Sequence, residues 1–205
     1  MSAVIQLRDA TKHGLNEIGG KASSLARLLE AGFRVPETLV LPARWFTPWW
    51  KALEATDAWT QFSLSSVGPW RERCKALQSM ARQLPFSNEM RTELGEVRRH
   101  VASWGEDPMC AVRSSSPDED LEGASFAGIY VSRLGVTLTD LNDAVRACFV
   151  SCLDERVVVY KQRRRFDIHG PSIAVIVQRQ VNSRVAGVAF SLNPVTNDYD
   201  EAVID

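Results

Sequence analysis

Residues 110–128 constrain this chain more tightly than any other stretch. The apolar run Met109–Val112 fits a strand. It gives out onto Arg113, three serines, Pro117, the acidic Asp118-Glu119-Asp120 and a tail of small residues ending at Gly128. Small residues let backbone N–H groups come close to a bound anion. A guanidinium is a planar, permanently charged fork that suits phosphate oxygens. The segment therefore reads as a phosphate cradle, with a plain polar loop as its structural counterpart, since loops use the same residue types.

A second phosphate signal lies about ninety residues upstream. Gly19-Gly20-Lys21-Ala22 opens an apolar-periodic stretch, Lys21–Ala31, that is expected to be helical. A helix N-terminus presents unpaired N–H groups and a partial positive charge, and a lysine there reaches phosphate as a point charge. The segment is not a Walker A loop. Counting from Gly14, the lysine of that motif would fall on Gly20, and Ala22 stands where a magnesium-binding hydroxyl is needed.

The remaining punctuation gives a mixed helix and strand order. Ile5–Leu7 reads as a short strand and 12–20 as a polar loop. Gly32 and Pro36 stop the first helix, and Leu39–Leu41 reads as a strand. Residues 43–104 read as mostly helical, with breaks near 63–69 and at Pro85. Ile129–Leu134 reads as a strand. Residues 139–165 read as a long helix capped by Thr139 and interrupted near Asp154, with Arg163, Arg164 and Arg165 at its end. Ile173–Val177 and Gly187–Leu192 read as buried strands, 193–198 as a turn and 202–204 as a last strand.

Composition excludes several classes. With a net charge of −1 the chain has no basic footprint for nucleic acid. No apolar run approaches the roughly 20 residues a bilayer crossing needs, so no membrane partner is expected, and residues 1–11 do not read as a secretory signal. The cysteines Cys74, Cys110, Cys148 and Cys152 form no CxxC pair and read as buried free thiols of a reducing, cytoplasmic protein. All six tryptophans fall between Trp45 and Trp104 and read as core aromatics. His13, His100 and His169 read as packing or surface histidines, and Asp118, Glu119 and Asp120 as loop-shaping acids.

Three ordered blocks carry a family resemblance. Gly19-Gly20-Lys21-Ala22-Ser23-Ser24-Leu25 with Ala31-Gly32-Phe33-Arg34-Val35-Pro36 is the first. Ala111-Val112-Arg113-Ser114-Ser115 with Glu119-Asp120-Leu121 and Ala124-Ser125-Phe126-Ala127-Gly128 is the second. Val177-Gln178 with Ala186-Gly187-Val188-Ala189-Phe190-Ser191-Leu192-Asn193-Pro194 is the third. Together they resemble the N-terminal ATP-binding domain of the phosphoenolpyruvate synthase and pyruvate phosphate dikinase family.

The resemblance implies an α+β, ATP-grasp-like fold, with residues 1 to about 180 as the first lobe and 181–205 as the start of the second. It implies that Lys21 and Arg113 hold ATP phosphates, Arg113 as the catalytic cation. The backbone of 122–128, Gly128 included, would close over the phosphates, Ser132 would touch nucleotide and Gln178 would lie near the adenine. The implied cofactors are ATP and Mg2+, with the metal ligands beyond Asp205 and none in this chain. The implied partners are nucleotide and the phosphohistidine and pyruvate-binding domains of a parent enzyme, of which this chain is expected to be a portion. That enzyme would pass phosphoryl from ATP to a histidine and then to pyruvate, and the isolated chain is expected to turn over ATP weakly. The alternatives are a non-catalytic nucleotide-binding or regulatory module, and the ATP domain of a rifampicin-type phosphotransferase.

Overall fold

Side chains alternate across a strand, so a segment that is apolar at every position must be covered on both sides. Ala174–Val177 is such a run, within the strand Ala174–Arg179 whose first five residues are buried. The computed structural model, which describes residues 3–64, 70–117, 130–163, 173–196 and 198–205, puts this segment at the centre of a sheet. The strands are β1 (Ile5–Gln6), β2 (Thr38–Leu41), β3 (Cys110–Ser115), β4 (Ser132–Val136) and β5 (Ala174–Arg179). Among the described residues they form one antiparallel sheet in the order β1-β2-β5-β3-β4.

One sheet face carries Leu39, Leu41, Val112, Val175 and Val177, all in the larger core cluster. The helices α2 (Thr47–Glu54), α3 (Asp57–Ser63), α4 (Trp70–Gln83), α5 (Asn88–Ala102), α6 (Leu141–Val150) and α7 (Glu155–Arg163) supply that core. Its centre is aromatic. Phe149 stacks on Phe46 at 4.0 Å and meets Trp49 edge-on at 4.7 Å. The expectation that the tryptophans are core residues is borne out: Trp45, Trp49, Trp50, Trp59 and Trp104 are buried, and Trp70 packs against them partly buried.

The other face carries Ile5, Val40, Ala174 and Ile176. It is covered by α1 (Leu15–Glu30), which contributes Ile18, Ala22 and Ala26. A 3-10 turn over Leu7–Lys12 adds Leu7 and Ala10.

Several boundaries differ from the sequence reading. Residues 12–20 are not a loop: Lys12 ends the 3-10 turn, and α1 starts at Leu15, where buried Ile18 anchors an extra turn ahead of a kink at Gly19. The helix expected over 139–165 does break at Asp154, between α6, a 3-10 turn over Ser151–Leu153, and α7. Its N-cap position is Asp140 rather than Thr139. The turn closes one residue later because the Asp140 N–H donates to the Thr137 carbonyl, while the Thr139 hydroxyl pairs with that of Thr137. Arg164 and Arg165 lie outside the described residues. The run expected as a buried strand over 187–192 is a two-residue exposed strand, β6 (Ala189–Phe190), paired with β7 (Val203–Ile204).

All four cysteines are free and buried. Burial pushes the thiols of Cys74, Cys148 and Cys152 up to about 12 and that of Cys110 up to about 11, from an ordinary 9.0. Unfolded thiols lose their protons near pH 9 while the folded ones keep them. Their contribution to stability is therefore whole below pH 9 and is lost as pH rises toward 11–12. Unfolding by urea at stepped pH should show this decline. At pH 8 an aromatic disulfide reagent should label the native thiols slowly and the urea-unfolded ones at once.

Candidate functional site

Arg113 does not sit in a loop. β3 continues through Ser115, so the arginine is a mid-strand residue, paired with Ile176 on one side and Ser132 on the other. The serines extend the strand because their hydroxyls find partners in the interior. The Ser114 hydroxyl donates to the Val131 carbonyl, and the Ser115 hydroxyl to the Ile18 carbonyl at 2.8 Å. Ser114, Ser115 and Ser116 are fully buried. The expectation that these serines belong to a loop is therefore corrected for Ser114 and Ser115, and the three hydroxyls are structural ties.

Residues paired across antiparallel strands share a face. Ser132, Arg113 and Ile176 thus lie in one row on the face that α1 covers. Ser115 with Ala174, and Ala111 with Gln178 and Thr38, lie on the same face. Gln178 is diagonal to Arg113, a spacing of roughly 7–8 Å. Ser132 and Leu134 are exposed on this face, Arg113 is half-buried, and Gln178 is buried. Among the described residues the Arg113 guanidinium has no carboxylate within ion-pair distance.

Lys21 comes to this face through the kink in α1. Gly19 has φ 75° and ψ 169°, a combination reserved for glycine. A Cβ on it would fall 2.2 Å from the Ser115 carbonyl oxygen. The close approach that glycine permits here is to the end of β3. The next N–H groups are taken as well: Gly20 donates to the Ser116 carbonyl at 3.0 Å, and Ala22 to the Ser115 hydroxyl at 3.1 Å. Lys21, half-buried, lies between these two pinned residues. The expectation that the N–H groups of the Gly19–Ala22 turn face an anion is corrected for those two.

The rest of the predicted set is spread as follows. Gln178 donates from Nε2 to the Thr38 hydroxyl at 3.0 Å, and Thr38 donates to the Pro36 carbonyl. The chain leaving β5 runs between cavities of about 500 and 540 Å3 that share Arg179, Gln180 and Asn182. Gly128, the 122–128 backbone, Asp118, Glu119, Asp120 and His169 lie outside the described residues. The His13 Nδ1 is 3.1 Å from Glu17, which also pairs with Arg44, and His100 meets Trp104 edge-on, so both are packing histidines. Among the described residues no group of three or more His, Cys, Asp or Glu side chains comes together to hold a metal. No helix among them is long and apolar enough to cross a membrane. Sequence reading gave no separate role to Ser115, and missed Thr38 and Tyr130, the latter's hydroxyl donating to that of Ser116.

The described residues define a mixed α+β domain built around one antiparallel sheet. A family model for the pyruvate phosphate dikinase AMP/ATP-binding domain matches residues 15–205, and the chain belongs to this family. It is 28% identical to the probable phosphoenolpyruvate synthase of Methanocaldococcus jannaschii over 212 residues, covering 100% of this chain and 18% of that protein. It is 33% identical to the rifampicin phosphotransferase of a Streptomyces species over 206 residues, covering 98% of this chain and 24% of that protein. Against the phosphoenolpyruvate synthase of Pyrococcus furiosus it is 33% identical over 140 residues, 66% of this chain and 17% of that protein. The chain thus spans only 17–24% of the length of these curated relatives.

Gly19→Ala should lower stability by at least about 2 kcal/mol, from backbone strain plus overlap with Ser115. Gly95→Ala, in the interior of α5 with nothing within 4 Å of an added Cβ, should be neutral or stabilising by up to about 1 kcal/mol. Urea denaturation of the two variants side by side measures the contrast.

Proposed function

We propose that this chain is the ATP-binding portion of a phosphotransferase, with Lys21 and Arg113 gripping the triphosphate. A phosphoryl group of ATP passes to a histidine on another domain and from there to pyruvate. One observation carries the reading: the Lys21 turn is bonded directly to the end of the strand that holds Arg113. Two residue steps along the strand, about 7 Å, take the chain from Arg113 to Ser115. Both long side chains reach across such a gap. The family match and the relatives named phosphoenolpyruvate synthase support the choice of nucleotide and acceptor.

In this reading the fold is ATP-grasp-like. Residues up to about 180 form the first lobe and 181–205 begin the second. Support comes from the change of sheet after β5 and from the exposed apolar side chains Val185, Val195, Tyr199 and Ile204 around β6 and β7. ATP lies between the lobes, with Ser132 beside the phosphates and Gln178 toward the adenine. Phosphoryl transfer is mostly positioning and charge stabilisation, and Arg113 supplies the fixed cation for it. Magnesium accompanies ATP in this reading, bridging phosphate oxygens and neutralising their charge. The 205-residue chain alone then turns over ATP weakly, because the acceptor histidine belongs to a different domain.

Lys21→Ala and Arg113→Ala, each in the full-length protein, should weaken ATP binding about 10–100-fold. That is the loss expected from one charge-assisted contact of about 1.5–3 kcal/mol. Adenosine, which lacks phosphates, should bind all three forms alike. Calorimetric titration checks both statements, and ATP affinity unchanged in both variants would overturn the assignment.

A further inference from the structure

We infer that Ser115 is a positioning residue whose hydroxyl sets the register between Lys21 and Arg113; the inference rests on the phosphate reading above. In a regular helix the N–H of residue 22 donates to the carbonyl of residue 18. Here the Ser115 hydroxyl stands between these two groups. It accepts from the Ala22 N–H at 3.1 Å and donates to the Ile18 carbonyl at 2.8 Å. A side chain inserted into the helical ladder is a recognised cause of a kink, and this kink falls at Gly19. Lys21 lies inside the interrupted turn.

Ser115 has no exposed surface, and its hydroxyl both donates and accepts within the protein. It does not touch a ligand. Its effect runs through the two cations. Arg113 is fixed by strand pairing on both sides. Lys21 is fixed by the turn that Ser115 holds open. Without the hydroxyl the 18–22 turn is free to close toward regular geometry, which rotates Lys21 away from the arginine's face while leaving Arg113 in place.

The test is a double-mutant cycle in the full-length protein, reading ATP and adenosine affinity by calorimetry and melting temperature alongside. Ser115→Ala should weaken ATP binding about tenfold and leave adenosine binding unchanged. On the Lys21→Ala background the same substitution should cost less than about twofold, because the cation it positions is gone. Equal losses on both backgrounds would show a merely structural role and overturn the inference, as would a lower melting temperature with unchanged ATP affinity. If Lys21→Ala alone leaves ATP binding intact, Lys21 is not a phosphate contact and this inference falls, while the phosphate reading as a whole falls only if Arg113→Ala is silent too. If Lys21→Ala weakens binding and the two losses add, only the role of Ser115 falls. Should Ser115→Ala fail to fold, Ser115→Cys fills the same space with a much weaker hydrogen-bonding group and carries the same cycle.

Discussion

The contact between Gly19 and the Ser115 backbone decides where the first helix lies on the sheet. Any side chain at position 19 would collide with the Ser115 carbonyl, so the helix approaches this closely only through a glycine. The approach brings the Gly20 and Ala22 N–H groups within reach of β3. Those bonds satisfy donors that a kink would otherwise leave unpaired in the interior, where an unmade hydrogen bond costs about 1–3 kcal/mol. Glycine, serine and kink are thus one device.

The two sheet faces divide the work of the domain. The helical face buries large side chains, with Phe149 packed among Phe46, Trp49 and Trp50. The face under α1 buries Ala10, Ala22 and Ala26 beside Ile18 and Ile176. Small side chains bring a helix close but remove little apolar area from water, at about 25 cal/mol per Å2. Hydrophobic contact alone specifies the position of α1 weakly. The directional bonds from Ser115 and Ser116 supply that precision, and they do so on the face where the cations stand.

The sequence carried the architecture of the chain better than the chemistry of its serines. β2, β5, the break at Asp154 and the tryptophan-rich helical core were legible because apolar period and turn residues report burial directly. The length of β3 was not, since serines after an arginine look like loop until their partners, Val131 and Ile18, are known to be near in space. The start of α1 was hidden for a related reason: two glycines ordinarily end helices, and here one of them bends a helix that had already begun. Lys21, Arg113, Ser132 and Gln178 were legible as candidates through the family blocks. Ser115 was quoted within a block yet had no role in isolation, because its function is a contact between residues more than ninety positions apart.

A hydroxyl, a guanidinium and an amine all suit phosphate, so residue type alone does not separate them; burial does separate the serines from the two cations. The three serines are sealed from solvent with their hydrogen bonds used inside the protein. Arg113 and Lys21 are only half-buried on the same side of the sheet. A cation in that position keeps access to a ligand while losing part of the solvent that would screen it, which strengthens its attraction to an anion relative to a fully exposed pair. Anchoring it on a strand paired on both sides also lowers the ordering cost of binding. Buried serines that fix the frame and half-buried cations beside them are therefore complementary in the proposed phosphate reading: the first make the geometry that the second would need.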